Sequence, residues 1–356
     1  MANKQKSIDI LLAYAKERIL ILDGAMGTAL QALKLGESDY RNPGLERHNK
    51  DLKGNADILN LTAPDKIQKI HEDYLLAGAD IIETNTFNGT SVSQSEYATD
   101  HLAYEINFEG ARLARAAADK ISKETPDRPR FVAGALGPTN KTLSVSPRVS
   151  DPTYRATSFD AMKDSYKEAA RGLVAGGADF LLIETIFDTL NAKAVIVAVE
   201  EVKEETGADI PLALSLTVTD LSGRTLSGQT VEGFWYSVRH AKPFAIGLNC
   251  SFGAQDLRPF IAELSRVADT LICAYPNAGL PNELCEYTET PDITASELGE
   301  WAKSGFLNIV GGCCGTTPDH IKAISAQVKE YAPREVPVRK PHLRLSGLEA
   351  LTVDGV

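Results

Sequence analysis

The segment Asn-Ile-Val-Gly-Gly-Cys-Cys-Gly at residues 308–315 is typical of a buried strand that stops at a glycine turn before a helix. A second segment, Gly-Leu-Asn-Cys-Ser-Phe-Gly at residues 247–253, also ends an apolar run in a cysteine and a glycine. If both strands lie in one parallel sheet, their carboxyl ends face the same way. The thiols of Cys250, Cys313 and Cys314 are then expected to converge.

Around these two segments, short apolar runs alternate with amphipathic stretches along the whole chain. This alternation predicts parallel strands connected by helices. The predicted strands are Ile19–Asp23, Asp80–Thr84, Arg130–Leu136, Asp179–Glu184, Pro211–Val218, Pro243–Asn249, Thr270–Tyr275 and Phe306–Gly311. Most of them are continuous apolar runs, which indicates that both of their faces are buried.

Helices are predicted between the strands, for example over Ala63–Leu76 and Gln255–Val267, where apolar residues recur three and four positions apart. Two threonines mark expected helix starts. Thr62 precedes a proline and an acidic residue, and Thr317 precedes a proline, so each is predicted to cap a helix.

Eight buried parallel strands that alternate with helices favour an α/β fold of the closed (β/α)8 TIM-barrel type. An open, doubly wound sheet is the alternative. The predicted organisation is an N-terminal helix over residues 1–18, the barrel over residues 19–333 and a linker over residues 334–356.

The residues at the predicted strand ends test the barrel, because active sites of TIM barrels lie at the carboxyl ends of their strands. These ends are rich in polar side chains and include both halves of the thiol group. They comprise Asp23, Glu83, Thr84, Asn85, Gly137, Pro138, Thr139, Asn140, Glu184, Thr185, Ser215, Thr217, Thr219, Asn249, Cys250, Tyr275, Asn277, Cys313 and Cys314.

Three convergent thiols predict a metal site, with zinc as the best match for sulfur ligands. None of the six histidines falls at a predicted strand end, so the ligand set is expected to be rich in sulfur and to leave a fourth position open for a substrate. The alternative is three idle thiols, since free cysteine often serves as a small core residue. Cys273, inside a strand, and Cys285, in a loop, are expected to have no special role.

Composition sets limits on partners and location. The chain has 356 residues, of which 43% are hydrophobic, and a formal charge of −11. An acidic chain is a poor match for nucleic acid, whose phosphates require a basic surface. The first 18 residues are charged throughout and resemble neither a secretory signal nor a membrane span, so we expect no membrane association and a cytoplasmic location.

An ordered set of motifs resembles the homocysteine S-methyltransferase family, over residues from about Ile19 to Pro333. The motifs are Asp23–Thr28 (DGAMGT), Glu83–Phe87 (ETNTF), Gly137–Asn140 (GPTN), Glu184–Thr185 (ET), Gly223–Gln229 (GRTLSGQ), Gly247–Cys250 (GLNC), Tyr275–Asn282 (YPNAGLPN) and Gly311–Gly315 (GGCCG). Within the family, the chain most closely resembles the amino-terminal homocysteine-binding modules of cobalamin-dependent methionine synthases.

The resemblance implies that Cys250, Cys313 and Cys314 hold zinc and that zinc holds the sulfur of L-homocysteine as a thiolate. It also implies that Asp23 and Glu184 bind the substrate amine, as carboxylates do. Gly24 and Thr28, in the same motif as Asp23, are expected to contact the substrate, and Asn277 is expected to offer an oxygen to zinc before substrate arrives. Plainer roles exist for these residues: a turn residue for Asp23 or Asn277, and a helix cap or rim ion pair for Glu184.

The resemblance points to methylcobalamin on a separate corrinoid-binding domain as the methyl donor. This chain has no Asp-x-His-x-x-Gly motif of its own, so it is not expected to hold cobalamin. The tail at residues 343–351 resembles the run that leads into a folate-binding domain, which makes the chain an excised module or a stand-alone subunit. The alternatives are a homocysteine methyltransferase that uses betaine or S-methylmethionine, and a zinc- or thiol-binding protein without activity.

Overall fold

A computed structural model of the chain describes residues 2–284 and 286–353. Over these residues the helices are α1 Ala2–Glu17, α2 Met26–Ala32, α3 Leu59–Thr62, α4 Pro64–Ala77, α5 Ser91–Gln94, α6 Ala103–Glu124, α7 Phe159–Gly176, α8 Thr189–Thr206, α9 Val231–Val238, α10 Ala254–Val267, α11 Pro291–Lys303 and α12 Pro318–Val328. The strands are β1 Leu20–Ile21, β2 Ile81–Glu83, β3 Phe131–Leu136, β4 Phe180–Ile186, β5 Leu212–Leu216, β6 Ala245–Gly253, β7 Leu271–Asn277, β8 Ile309–Val310, β9 Leu343–Ser346 and β10 Ala350–Val353.

Strands β1 to β8 form one parallel sheet in the order β1-β8-β7-β6-β5-β4-β3-β2 across the described residues. The two end strands meet at a parallel bridge between Leu22 and Ile81, where the Asp23 amide donates to the Ile81 carbonyl at 3.0 Å. The sheet therefore closes on itself. The predicted TIM barrel is confirmed, and the open sheet is excluded.

Each predicted strand is present, but lengths differ from the prediction at the rim. β1 and β8 are only two residues long, whereas β6 runs on to Gly253 and β7 to Asn277. The predicted helices at 63–76 and 255–267 begin and end within one residue of α4 and α10. Thr317 stands at the N-cap position of α12, as predicted.

The predicted cap at Thr62 was wrong. Thr62 is the last residue of the short helix α3, and the residue before α4 is Ala63. The Thr62 hydroxyl is buried and has no hydrogen-bond partner among the described residues. Sequence signals for a helix start do not reveal a preceding helical turn, which is why the assignment failed.

Helix α1 closes the amino-terminal end of the barrel. Its residues Ile8, Leu11 and Ala15 join the apolar core inside the barrel, which also contains Phe131 and Phe180 from β3 and β4. A second, larger core lies between the strands and the surrounding helices. Because one end is filled with apolar side chains, a polar site is left to the other end, where the strands terminate.

The segment after α12 is anchored to the barrel. The guanidinium of Arg334 is largely buried and donates to the carbonyls of Ala268 and Thr270 at 2.7 and 3.0 Å. The hairpin of β9 and β10 lies on α9, where the Thr230 amide donates to the Leu348 carbonyl at 2.9 Å. The role of residues 334–356 as a linker to a folate-binding domain stays a prediction. The other predicted domain limits also stay predictions.

The described helices include none with both the length and the apolar character that crossing a membrane requires.

Buried His71 makes the stability of the fold sensitive to acid. Neither ring nitrogen has a hydrogen-bond partner in the part of the chain that the structure describes, and burial lowers the pKa of His71 from 6.5 to about 4. Between these values the unfolded chain binds a proton that the native chain excludes, so the free energy of unfolding falls as the pH falls from 6.5 to 4. The full effect of this one residue is about 3 kcal/mol.

Lowering the pH from 7 to 4.5 should reduce the free energy of unfolding of the unsubstituted protein more than that of His71→Leu. We expect the two reductions to differ by about 2 to 3 kcal/mol. Urea unfolding at both pH values measures this difference. Other titrating groups are shared by the two proteins and cancel in the comparison. If the free energy of unfolding fell equally in both proteins, His71 would be protonated in the native state without a cost in free energy.

Candidate metal centre and active site

The thiols of Cys250, Cys313 and Cys314 lie together at the carboxyl rim of the barrel. Their sulfur atoms are all within 4.8 Å of one another, and the Sγ atoms of Cys250 and Cys314 are 3.9 Å apart. All three residues are partly exposed, and each is a free thiol. The cluster is therefore reachable from the open end of the barrel.

A bulge in β6 presents Cys250 to its partners. The pairing of β6 with β7 shifts between Asn249 and Gly253, and Cys250 and Ser251 both have left-handed backbone, with φ of 62° and 63°. This conformation costs roughly 1 kcal/mol or more for each non-glycine residue. Bulges re-aim side chains at active sites, so the strain here is associated with the position of the Cys250 thiol.

The loop that carries Cys313 and Cys314 is fixed by hydrogen bonds from two other segments. The Cys314 amide donates to Oδ1 of Asn277 at 3.1 Å, and the Gly315 amide donates to Oγ1 of Thr28 at 2.9 Å. Asn277 and Thr28 thus both brace the cysteine loop. Their predicted contacts with zinc and with substrate stay predictions.

Gly24 lies where the chain passes close to two other side chains. A Cβ atom at this position would be 2.8 Å from the Tyr74 ring and 2.9 Å from Oγ1 of Thr316. Packing alone therefore accounts for a glycine here. A contact between Gly24 and substrate stays a prediction.

The three thiols share their protons unequally because they touch. Hydrogen bonds from Cys250 and Cys313 lower the pKa of Cys314 to about 3, while the contacts of Cys313 with Cys250 and Cys314 raise the pKa of Cys313 well above its usual value. One thiolate therefore forms readily. A second thiolate would place two negative charges side by side, and their repulsion opposes its formation. A bound cation removes that repulsion.

The donor set fits zinc. Three sulfur ligands from protein, with no fourth cysteine, histidine or carboxylate grouped with them in the described residues, are typical of a tetrahedral site with one open position. Cys273 is buried in the core inside the barrel and is not grouped with the three thiols among the described residues. Cys285 lies outside the described residues.

Three carboxylates lie near the thiols: Asp23 after β1, Glu83 at the end of β2 and Glu184 in β4. Asp23 and Glu184 are each less than 5% exposed. Burial and the charge of Glu83 raise the pKa of Asp23, while burial and the charges of Glu83, Asp23 and Cys314 raise that of Glu184. In the described structure Glu184 forms no ion pair, so the alternative of a rim ion pair is not observed there.

A second bulge connects the carboxylates to the thiols. The pairing of β4 with β5 shifts between Ile183 and Ile186, and Thr185 has left-handed backbone with φ of 53°. The Asn249 side chain accepts from the Thr185 amide at 3.1 Å and donates to the Thr185 hydroxyl at 2.8 Å. Because Asn249 directly precedes Cys250, this side chain ties the Glu184 bulge to the metal-binding bulge.

Two residues near the thiols had no role in the sequence prediction. Glu83 appeared as a polar strand end and as the first residue of the ETNTF motif, without an assigned role, although its spacing from Ile81 indicates a side chain on the inner face of β2. The hydroxyl of Tyr287 forms a hydrogen bond with Cys314, which helps to lower the pKa of that thiol. Tyr287 lies in a loop without periodicity, so no sequence signal pointed to it.

The cluster predicts which cysteines retain zinc. We expect Cys250→Ala, Cys313→Ala and Cys314→Ala each to reduce the zinc content of the purified protein from about one ion per chain to about a tenth or less, because two thiolates bind zinc far more weakly than three. Elemental analysis after dialysis measures the content. Cys273→Ala is the matched control and should keep its zinc. Full zinc in the Cys313→Ala protein would contradict the ligand set.

Comparisons with known proteins agree with this architecture. The crystal structure of the homocysteine methyltransferase MmuM from Escherichia coli in its metallated form superposes with a TM-score of 0.68 at 23% identity, and covers 88% of this chain and 98% of that chain. The oxidised form of the same enzyme gives 0.67 at 23% identity, with coverages of 86% and 95%. At this identity the likeness establishes a shared fold. The family model for homocysteine S-methyltransferases matches residues 20–328, and the chain therefore belongs to the homocysteine S-methyltransferase family.

Proposed function

We propose that this protein is a zinc-dependent homocysteine S-methyltransferase module of a cobalamin-dependent methionine synthase. In the proposed reaction the sulfur of L-homocysteine takes a methyl group from methylcobalamin, and methionine is the product. The observation that carries the proposal is the cysteine cluster beside buried carboxylates at one rim of the barrel. A soft metal site next to an anionic pocket matches a substrate with a thiol at one end and an ammonium at the other.

Cys250, Cys313 and Cys314 would hold the zinc ion through their thiolates. When bound, zinc supplies a Lewis acid that lowers the pKa of a substrate thiol, so that the sulfur reacts as a thiolate at neutral pH. The braces from Asn277 and Thr28 hold the loop of Cys313 and Cys314 in place before metal or substrate arrives. Preorganisation of this kind reduces the ordering required when substrate binds.

Asp23 and Glu184 would bind the substrate ammonium. Both carboxylates are buried, and no lysine or arginine contributes to their electrostatic surroundings in the described structure. Glu184 is also close enough to Cys314 for the thiolate charge to raise its pKa. An amino acid anchored at Glu184 therefore has its side chain directed toward the thiol cluster.

The likeness of the motifs and the tail to methionine synthase modules supports methylcobalamin as the donor. The partial exposure of all three cysteines supports it too, because a corrinoid held by another protein unit must approach the substrate sulfur from outside the barrel. The proposed partners are a corrinoid-binding domain and a folate-binding domain. The anchored hairpin of β9 and β10 would be the point at which the latter follows.

A second candidate is a homocysteine methyltransferase that uses a small onium donor, betaine or S-methylmethionine. Membership in the homocysteine S-methyltransferase family is equally compatible with it, because the family model names the acceptor and not the methyl donor. A zinc- or thiol-binding protein without turnover is the remaining alternative. The three proposals share the metal site and differ in what reacts there.

A methyl-transfer assay separates them. We expect the zinc-loaded chain to form methionine from L-homocysteine and free methylcobalamin, and to form little from betaine or S-methylmethionine. Zinc removal should lower the rate at least 100-fold, because the metal supplies thiol activation, and re-addition should restore it. Turnover with an onium donor would move the protein to the second candidate. Stoichiometric zinc without turnover for any donor would favour a binding protein.

A further inference from the structure

Glu83 is a carboxylate at the rim to which the proposed function gives no task. It ends β2, where Ile81 belongs to the core inside the barrel and Ile82 to the core outside it. Side chains alternate along a strand, so Glu83 shares the inward face with Ile81. Its Oε1 atom is buried and has no hydrogen-bond partner among the described residues.

The surroundings of Glu83 are anionic. Its own amide donates to Oδ2 of Asp23 at 3.0 Å, which places the Asp23 carboxylate against the backbone of Glu83. The charge of Glu83 also raises the pKa values of Asp23 and Glu184, and burial raises the pKa of Glu83 itself to about 8. No lysine or arginine contributes to the electrostatics of these three residues in the described part of the chain.

The Tyr275 hydroxyl lies in the same anionic surroundings. Tyr275 is fully buried, and burial together with the charges of Glu184 and Glu83 raises its pKa. Native proteins pair nearly all buried polar groups, and unpaired ones cost about 1 to 3 kcal/mol each. The unpaired Oε1 of Glu83 at the end of the pocket therefore favours a polar ligand that donates a hydrogen bond to it.

The geometry distinguishes between cations. In the described residues, the carboxylates of Asp23, Glu83 and Glu184 do not bring three oxygens within 4.8 Å of one another, whereas the three thiols do meet that spacing. Metal ions need closely grouped ligands, at distances of roughly 2.0 to 2.6 Å. An ammonium reaches farther, because its hydrogen bonds are roughly 2.9 Å long, and it has three hydrogens to donate.

We propose that Glu83 is a third carboxylate of the amine pocket and that it makes the site selective for thiols that carry a primary ammonium group. Glu83 would accept one hydrogen bond from that ammonium, and the carboxylates of Asp23 and Glu184 would complete its anionic surroundings. The inference rests on the proposed function, since it takes an amino-acid thiol as the substrate. It adds a specificity-determining residue and defines the substrate class by its amine.

Glu83→Gln tests the assignment because the amide keeps the shape of the side chain and removes its charge. Calorimetric titration of the zinc-loaded protein with L-homocysteine should give a dissociation constant about 10- to 100-fold higher than that of the unsubstituted protein, the loss expected for one charge-assisted hydrogen bond. Titration with 4-mercaptobutanoate, which lacks only the amino group, should give equal constants for both proteins. Glu263→Gln, which removes a partly buried carboxylate on α10 whose pKa is also raised, is the matched control and should match the unsubstituted protein with both thiols.

A stability measurement separates substrate binding from a structural role. Without substrate, Glu83→Gln should melt at the same or a higher temperature at pH 8, since it removes a buried charge that repels Asp23 and Glu184. A lower melting temperature, failure to fold, or equal weakening of both thiols would overturn the proposal, as would unchanged binding of L-homocysteine. These titrations need no methyl donor. If Glu83 made the pocket selective for the amine but the protein transferred no methyl group, the inference about Glu83 would hold and the proposed function would fail.

Discussion

The site depends on the convergence of parallel strand ends at one rim of a closed barrel. Cys250 comes from β6 and the Cys313–Cys314 pair from the turn after β8, so no short segment of the chain contains the whole thiol cluster. The bridge between Leu22 and Ile81 fixes the ring that brings them together. Metal binding therefore depends on the complete fold, because an open sheet would hold these strands in a different arrangement.

The rim concentrates features that oppose stability. Three features cost free energy there: left-handed backbone at Thr185, Cys250 and Ser251, buried carboxylates without a counterion among the described residues, and thiols in mutual contact. The apolar core inside the barrel and the larger core outside it compensate for that cost. In a thiol metal site or an ammonium pocket, a bound cation relieves the repulsion between negative groups, and this relief favours binding of the cation. In this account, the same groups that destabilise the free protein select its ligands.

The sequence predicted the barrel and the rim because apolar runs and helical periodicity report burial directly. It also placed Cys250 and the Cys313–Cys314 pair at strand ends, which is sufficient to predict that they meet in a barrel. It did not reveal the bulges in β4 and β6, because a shift in strand pairing depends on neighbours that are remote in sequence. For the same reason it missed the Tyr287 contact with Cys314 and the unpaired Oε1 of Glu83.

X-ray absorption at the zinc edge, on the zinc-loaded protein with and without L-homocysteine, tests the central claim most directly. We predict three sulfur neighbours for zinc in the free protein, supplied by Cys250, Cys313 and Cys314, and four when L-homocysteine is added. Fewer than three sulfur neighbours in the free protein would contradict the thiol cluster as the metal site. An unchanged sulfur count with L-homocysteine bound would contradict the role of the open position in binding the substrate sulfur.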